Sequence, residues 1–196
     1  MSKSDPASLK KERRKTIRWV VTIFLVTILV SGTISLISDE IMANSGMVVA
    51  FLILLAIVMI GIIFDIIGVA VTSADEKPFH SMAARKVPGG QEAIRLLRNA
   101  ERVSSICNDV VGDICGVVSG SASATIAAQV LDNFEFSWPG AVSLVMSALV
   151  AGLTVGGKAI GKTFAIHSCT KILSFVGKVL YTIRHFPMFF RKRENK

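Results

Sequence analysis

The sequence predicts an all-α membrane protein with four transmembrane helices. Of its 196 residues, 52% are hydrophobic and only 18% are charged, a composition typical of membrane proteins. Four apolar stretches are each long enough to cross a hydrocarbon core of roughly 30 Å as a helix. All 22 Lys and Arg residues fall in three segments: before the first stretch, between the second and the third, and from Lys158 onward.

These stretches divide the chain into three predicted parts. Residues 1–16 form a basic cytosolic tail, residues 17–163 a transmembrane domain, and residues 164–196 an amphipathic juxtamembrane helix with a basic tail. The juxtamembrane helix is predicted because apolar residues recur at helical spacing, with basic residues off that stripe. The four spans are predicted at about residues 17–37, 47–72, 104–131 and 139–160.

Local signals support the order of the elements. Trp19 beside Arg18 is typical of an interfacial anchor before the first span. Asp39 begins a polar stretch that predicts a short loop between the first two spans. In the long polar segment after the second span, the run at 88–90 (PGG) predicts a break between two cytosolic loop helices. The glycines at 156, 157 and 161 make the end of the fourth span permissive of close contacts.

The segregation of basic residues predicts the orientation. By the positive-inside rule, both termini and the middle loop lie in the cytosol of a protein integral to the cell (plasma) membrane. The net charge of +8 then arises from segments that flank membrane spans. Anionic lipid headgroups are therefore the expected partners of these charges, and nucleic acid is not.

Polar side chains within two spans indicate a functional site. Asp65 lies deep in the second span, and Asn108, Asp109 and Asp113 lie in the first third of the third span. Ionisable residues are costly within a bilayer, so their usual explanation is a function. An alternative is that Asp109 and Asp113 lie at headgroup level and pair with the nearby arginines, Arg98 and Arg102.

The chemistry of these residues favours a hard cation. Asp65, Asn108, Asp109, Asp113 and Ser119 offer only oxygen ligands, which suit Mg²⁺ or another hard divalent cation. An enzyme is not expected, because the chain contains neither a zinc-protease HExxH motif nor the glycine spacing of a nucleophile elbow. The same span carries small residues every four positions, which predict a close helix contact within or between subunits: Gly112, Gly116 and Gly120.

Three segments carry a resemblance to a known family. Residues 64–73 (FDIIGVAVTS), 98–112 (RNAERVSSICNDVVG) and 157–163 (GKAIGKT) together resemble the transmembrane domain of the CNNM/CorC (CorB) magnesium transporters. The resemblance implies a homodimer that transports or exports a divalent cation, with Na⁺ as a candidate coupling ion. The CBS domains that follow this membrane domain in the family are absent here, which leaves a separate cytosolic regulatory subunit as a candidate partner.

The resemblance leaves two functions open, because the chain departs from the family pattern. On this alignment Asp65 replaces a serine, Asn108 is retained, and Lys158 replaces an acidic residue. The first hypothesis is a Mg²⁺-type transporter, or the membrane subunit of one. The alternative is a non-transporting scaffold or regulator in which Lys158 neutralises Asp65 or Asp113. Contact between Lys158 and these acids would favour the alternative, since a buried lysine is expected to pair with an acid.

Overall fold

The protein folds into helices, as a computed structural model of residues 6–133 and 138–191 shows. No strand occurs among these residues, so the predicted all-α class is confirmed. Four helical stretches are long and apolar enough to cross a membrane: Thr16–Met42, Met47–Ser73, Ala100–Asn133 and Pro139–His185. The elements are α1 (Pro6–Ala43), α2 (Met47–Ser73), α3 (Lys77–Ala84), α4 (Gly90–Arg98), α5 (Ala100–Ser105), the π-helix π1 (Ile106–Gly112), α6 (Asp113–Asn133) and α7 (Pro139–Arg191).

Helix α1 is longer at both ends than the predicted span. It begins at Pro6, within the segment predicted as a tail, and it continues to Ala43. The polar loop that Asp39 was expected to begin is therefore reduced to residues 44–46. Asp39 stays in the helix because its carboxylate accepts hydrogen bonds from α6, from the hydroxyls of Ser121 at 3.0 Å and Thr125 at 3.4 Å.

Helix α2 lies at the centre of the bundle and contacts both α6 and α7. Gly61 faces Cys115 of α6, and Gly68 faces Asn108 of the preceding π1, so α2 runs in the opposite direction to π1 and α6. Along α7, Ile62 packs against Gly157 and Ile66 against Gly161, so these two helices run in the same direction. The up-and-down arrangement matches the order expected for successive spans. Its core consists of Met42, Ala50, Leu54, Val58, Ile62, Ala122, Ile126 and Val150.

The close approach of these helices depends on glycine. A Cβ atom placed on Gly61 would lie 2.9 Å from the Cβ of Cys115, and one on Gly161 would lie 2.8 Å from Cγ1 of Ile66. Both separations are shorter than a normal carbon–carbon contact of about 3.5–4.0 Å. Small residues therefore allow the backbones of α2, α6 and α7 to pack directly, as is common between membrane helices.

A second core joins the loop helices to the end of α7. As predicted, the PGG run separates two helices, α3 and α4; α4 packs on the later part of α7, and α3 packs on α4. Gly89 adopts φ 90° and its carbonyl oxygen would lie only 2.5 Å from a Cβ on Gly177, so two glycines permit this backbone contact. The buried side chains of this core are Val71, Phe79, Ala93, Leu97 and Leu173.

The predicted fourth span and juxtamembrane helix form one long element, α7. Only Ser168, with φ −117° and ψ 17°, departs from helical geometry among the residues described for α7, and it marks a kink between the two parts. Beyond the kink, Leu173 is buried in the second core, whereas Phe175 and Ile183 of the predicted apolar stripe are exposed. The full predicted stripe was Ile172, Phe175, Val176, Val179, Leu180 and Ile183.

Candidate functional site

The polar residues of the third span lie on a π-helix. Segment π1 covers Ile106–Gly112, between α5 and α6. A π-helix has wider turns than an α-helix, which redirects side chains, and such segments occur frequently at functional sites. In π1, Cys107 and Gly112 face the protein interior, Asn108 is half-buried and Asp109 is exposed. The sequence did not predict this irregular turn.

Asn108 reaches across to α2 and occupies the space left by a glycine. A Cβ atom on Gly68 would collide with Oδ1 of Asn108 and would lie 2.8 Å from its Cγ. The amide nitrogen of Asn108 donates a hydrogen bond to the hydroxyl of Ser104, at 3.2 Å. Its buried oxygen, Oδ1, accepts no hydrogen bond from the described residues. The missing side chain of Gly68 is therefore what admits the Asn108 amide between the two helices.

Asp65 lies three residues before Gly68 and is nearly completely buried, with 3% of its surface exposed. Its Oδ2 atom also accepts no hydrogen bond from any residue that the structure describes. The ammonium nitrogen of Lys162 lies 3.9 Å from Oδ2, and the Lys162 side chain is 53% exposed. Charge-assisted hydrogen bonds are usually about 2.7–2.9 Å long, so this is a loose ion pair.

Lys158 is not the partner of an acid. Its ammonium donates a hydrogen bond to the backbone oxygen of Gly112, the last residue of π1, at 3.2 Å. No carboxylate within residues 6–133 and 138–191 forms an ion pair with Lys158. The proposed neutralisation of Asp65 or Asp113 by Lys158 is therefore not found in this geometry. Lys162, one helical turn further along α7, lies beside Asp65 instead. Residues four apart lie on the same face of a helix, so the spacing of Lys158 and Lys162 was a sequence signal that both lysines approach this region, and it was missed.

The other predicted site residues lie apart from Asp65 and Asn108. Asp109 is exposed and accepts a hydrogen bond from the Ser105 hydroxyl at 2.8 Å, and Asp113 is also exposed. Ser119 is buried but donates to the Gly116 carbonyl at 2.9 Å. From the pairing of α2 with α6, Ser119 lies about eight residues, or about 12 Å, from the level of Asp65. Of the five predicted oxygen ligands, two have a buried oxygen without a donor among the described residues, Asp65 and Asn108, and Asn108 meets α2 at Gly68, about one helical turn from Asp65.

The alternative explanation for Asp109 and Asp113 also lacks support. Neither forms an ion pair with Arg98 or Arg102 among the described residues. The guanidinium of Arg102 instead lies 6.0 Å from the centre of the Trp19 ring of α1, within range of a cation–π contact. Trp19, predicted as an interfacial anchor, therefore forms a contact between α1 and α5.

The predicted glycine seam is not a contact within the chain. Atoms added to Gly116 and Gly120 would meet nothing within 4 Å, so this face of α6 is open. Gly112 is different, because the Lys158 ammonium lies 3.4 Å from where its Cβ would be. Within the described chain, the seam does not join α6 to another helix. A contact between subunits through the same face stays a prediction.

Comparison with known proteins leaves the site without an external reference. No family model, no curated protein and no solved structure matches this chain. The resemblance to the CNNM/CorC magnesium transporters therefore remains a prediction. Among the described residues, no three His, Cys, Asp or Glu side chains group together as ligands for a metal ion. What the structure presents is one buried carboxylate, one buried amide oxygen and two nearby lysines.

Proposed function

We propose that the protein is an integral membrane cation transporter, or the membrane subunit of one, in which Asp65 and Asn108 bind the ion between α2 and π1. The observation that carries this proposal is the pair of buried oxygens, Oδ2 of Asp65 and Oδ1 of Asn108, to which no described residue donates a hydrogen bond. A buried acceptor left without a partner costs about 1–3 kcal/mol. A bound cation would offset that cost at both oxygens, and bound ions are one common explanation for such groups.

The environment of these oxygens also suits transport. Asp65 lies eight residues before the end of α2, about 12 Å into the helix. The Lys162 side chain, whose ammonium lies 3.9 Å from Asp65, is half-exposed, which supports access to Asp65 from the surroundings of the bundle. Carboxylate and amide oxygens are ligands for hard cations, and the family resemblance implies Mg²⁺ or another hard divalent ion, with Na⁺ as a candidate coupling ion.

The proposal includes a cellular setting. By the positive-inside rule, the basic segments favour a cytosolic position for both termini and four spans in the cell membrane, with anionic headgroups as the expected partners of the basic residues. The homodimer that the resemblance implies would use the open face of α6 at Gly116 and Gly120, because small residues allow a second copy to approach closely. Neither a catalytic activity nor nucleic-acid binding is part of this proposal.

A second candidate function is a non-transporting scaffold or regulator. The observation that favours it is the presence of two lysines at the site, with Lys162 near Asp65 and Lys158 bonded to Gly112. Lys162 could neutralise Asp65 permanently, so that the polar residues serve only to fix how the helices pack. The two candidates differ in one measurable respect, since only a transporter moves an ion across a membrane.

Ion flux into proteoliposomes tests the proposal. We expect the purified protein to carry Mg²⁺ or Na⁺, followed with an ion-sensitive dye, and Asp65→Asn to abolish the flux. Asp132→Asn is the matched control, because Asp132 is an exposed acid at the far end of α6. Asp39 is unsuitable as a control, since it binds Ser121. Equal flux through wild-type protein, the Asp65→Asn variant and empty vesicles would favour the scaffold instead.

A further inference from the structure

We propose that the site at Asp65 binds a monovalent cation, and that the ammonium group of Lys162 is its built-in competitor. The inference rests on the proposed function and narrows the class of ion. It follows from the charges around the two buried oxygens, from the different attachment of the two lysines, and from the small number of ligands.

The charges at the site favour exchange of the Lys162 ammonium for a singly charged cation. Asp65 is the buried acid of this region, whereas the neighbouring Asp109 and Asp113 are exposed; Lys158 and Lys162 both approach the region from α7. The buried carboxylate and these two ammonium groups together carry one net positive charge. Replacing the Lys162 ammonium by a monovalent cation leaves that total unchanged. A divalent cation would add an uncompensated charge within a membrane span, where desolvated charge is costly.

The two lysines are held differently, and only one is free to leave. Lys158 is half-buried and donates to the Gly112 carbonyl at 3.2 Å, so its charge is fixed against π1. Lys162 is 53% exposed, lies 3.9 Å from Asp65 and makes no hydrogen bond with the described residues. Its flexible four-carbon side chain can move the ammonium outward to water or headgroups while the stem stays on the helix. An incoming cation can therefore take the place of Lys162 beside Oδ2.

The ligand set also fits a singly charged ion better. Mg²⁺ requires near-ideal octahedral geometry and is usually held by one or two carboxylates together with retained waters. Here one carboxylate and one amide oxygen are available, and the backbone carbonyl of Gly112 already accepts from Lys158. A monovalent ion such as Na⁺ holds its hydration shell less strongly than Mg²⁺ and needs no second acid.

Thermal unfolding of the full-length protein in detergent tests this inference. NaCl, LiCl or KCl replaces choline chloride at constant ionic strength, and MgCl₂ and CaCl₂ are titrated separately. We expect at least one monovalent cation to raise the unfolding temperature with concentration, since an ion that binds only the folded state stabilises it. Asp65→Asn should abolish the rise. If Lys162 occupies the site about nine-tenths of the time, Lys162→Gln should lower the midpoint concentration about tenfold.

Two further variants distinguish competition between Lys162 and the cation for Asp65 from a general effect of removing a positive charge. Lys162→Arg keeps a competing cation and should leave the midpoint near or above that of the wild type. Lys171→Gln removes an exposed charge from the same helix, away from Asp65, and should not change the midpoint. A midpoint that falls equally in Lys162→Gln and Lys171→Gln would overturn the role of Lys162.

The outcomes for the ion class are equally distinct. A rise with Mg²⁺ or Ca²⁺ that depends on Asp65, without a rise for any monovalent ion, would overturn this inference but support the proposed transporter. A rise with monovalent ions that persists in Asp65→Asn would be a general salt effect and would overturn it as well. If no ion shifts the unfolding temperature and the proteoliposomes show no flux, the transporter proposal itself fails.

Discussion

The contact between Gly61 and Cys115 allows a quantitative test of the helix packing. In Gly61→Ala, the new methyl group would lie 2.9 Å from the Cβ of Cys115, about 1 Å short of a normal carbon–carbon contact. Rotation of the Cys115 side chain cannot relieve the overlap, because Cβ is fixed to the backbone. Helices α2 and α6 must therefore separate, and overpacking of this kind costs about 1–3 kcal/mol.

Gly116→Ala is the matched control, because a Cβ at this position meets nothing within 4 Å. Both substitutions gain the same helix propensity, about 1 kcal/mol, so the difference between the two variants isolates the overlap. For a chain of 196 residues, that difference corresponds to unfolding temperatures about 2–12 °C apart, with Gly61→Ala lower. Thermal unfolding in one detergent, followed by circular dichroism, measures it.

A double-mutant cycle identifies the contact itself. Adding Cys115→Gly to Gly61→Ala removes the Cys115 side chain, whose Cβ the new methyl group would overlap. We expect a favourable coupling energy of about 1–3 kcal/mol between the two substitutions. Equal stability of Gly61→Ala and Gly116→Ala, with no coupling in the cycle, would show that α2 and α6 do not approach as described.

Three other predictions concern the architecture. The first uses a chain in which the three native cysteines are replaced. In that background, Asn44→Cys and Asn133→Cys should react with an impermeant thiol reagent from outside the cell, and Gln91→Cys should react only from the cytosol. Labelling of Asn44→Cys from the cytosol alone would contradict the predicted orientation. Leu173→Ala should destabilise the protein by about 2–5 kcal/mol through loss of its buried contacts in the second core, whereas Phe175→Ala, at a side chain that is 68% exposed, should have little effect on chemical unfolding. Similar losses for both would contradict this position of α7. Asp39→Ala should cost about 1–3 kcal/mol, since it removes a charged acceptor from the Ser121 and Thr125 hydroxyls, and an unaltered unfolding temperature relative to Asp132→Ala would contradict that interaction.

The sequence was sufficient for the features that hydropathy and local turn chemistry determine. The four long apolar helices and the break between α3 and α4 follow from composition and from the PGG run. The end of α1 did not follow, because Asp39 looks like a loop residue until its donors are known. Those donors, Ser121 and Thr125, lie 82 and 86 residues further along the chain. No local pattern contains that information.

The helix contacts show the same limit at individual glycines. Regular spacing marked Gly116 and Gly120 as a seam, yet both face open space, whereas Gly157 and Gly161 receive Ile62 and Ile66. Small residues permit a close approach, but the sequence does not state which helix approaches. The predicted permissiveness of the glycines at the end of the fourth span agrees with these two contacts.

The sequence predicted a polar site within the spans, but it did not predict which of the polar residues would form it. Asp65 and Asn108 were both identified, because a polar residue within an apolar span is easily recognised. The approach of Asn108 to α2 near Asp65 requires the missing side chain of Gly68, and Asn108 lies on the π-helix π1; neither feature has a clear sequence signature. Lys162 was overlooked as a partner of Asp65, because near the end of a span a lysine is ordinarily explained by the lipid headgroups.

The hydrogen bonds between α1 and α6 determine the order in which these helices can pack together during synthesis. Asp39 leaves the ribosome 82 residues before Ser121, which donates to it in the folded protein. At about 5–20 residues per second, synthesis of the intervening chain takes roughly 4–16 s. The backbone oxygen of Met42 stays without its donor for longer still, because that donor, the side chain of Gln129, is synthesised 87 residues later. The first helix therefore enters the bilayer before its polar end has a partner, and it docks only after the third span has been inserted.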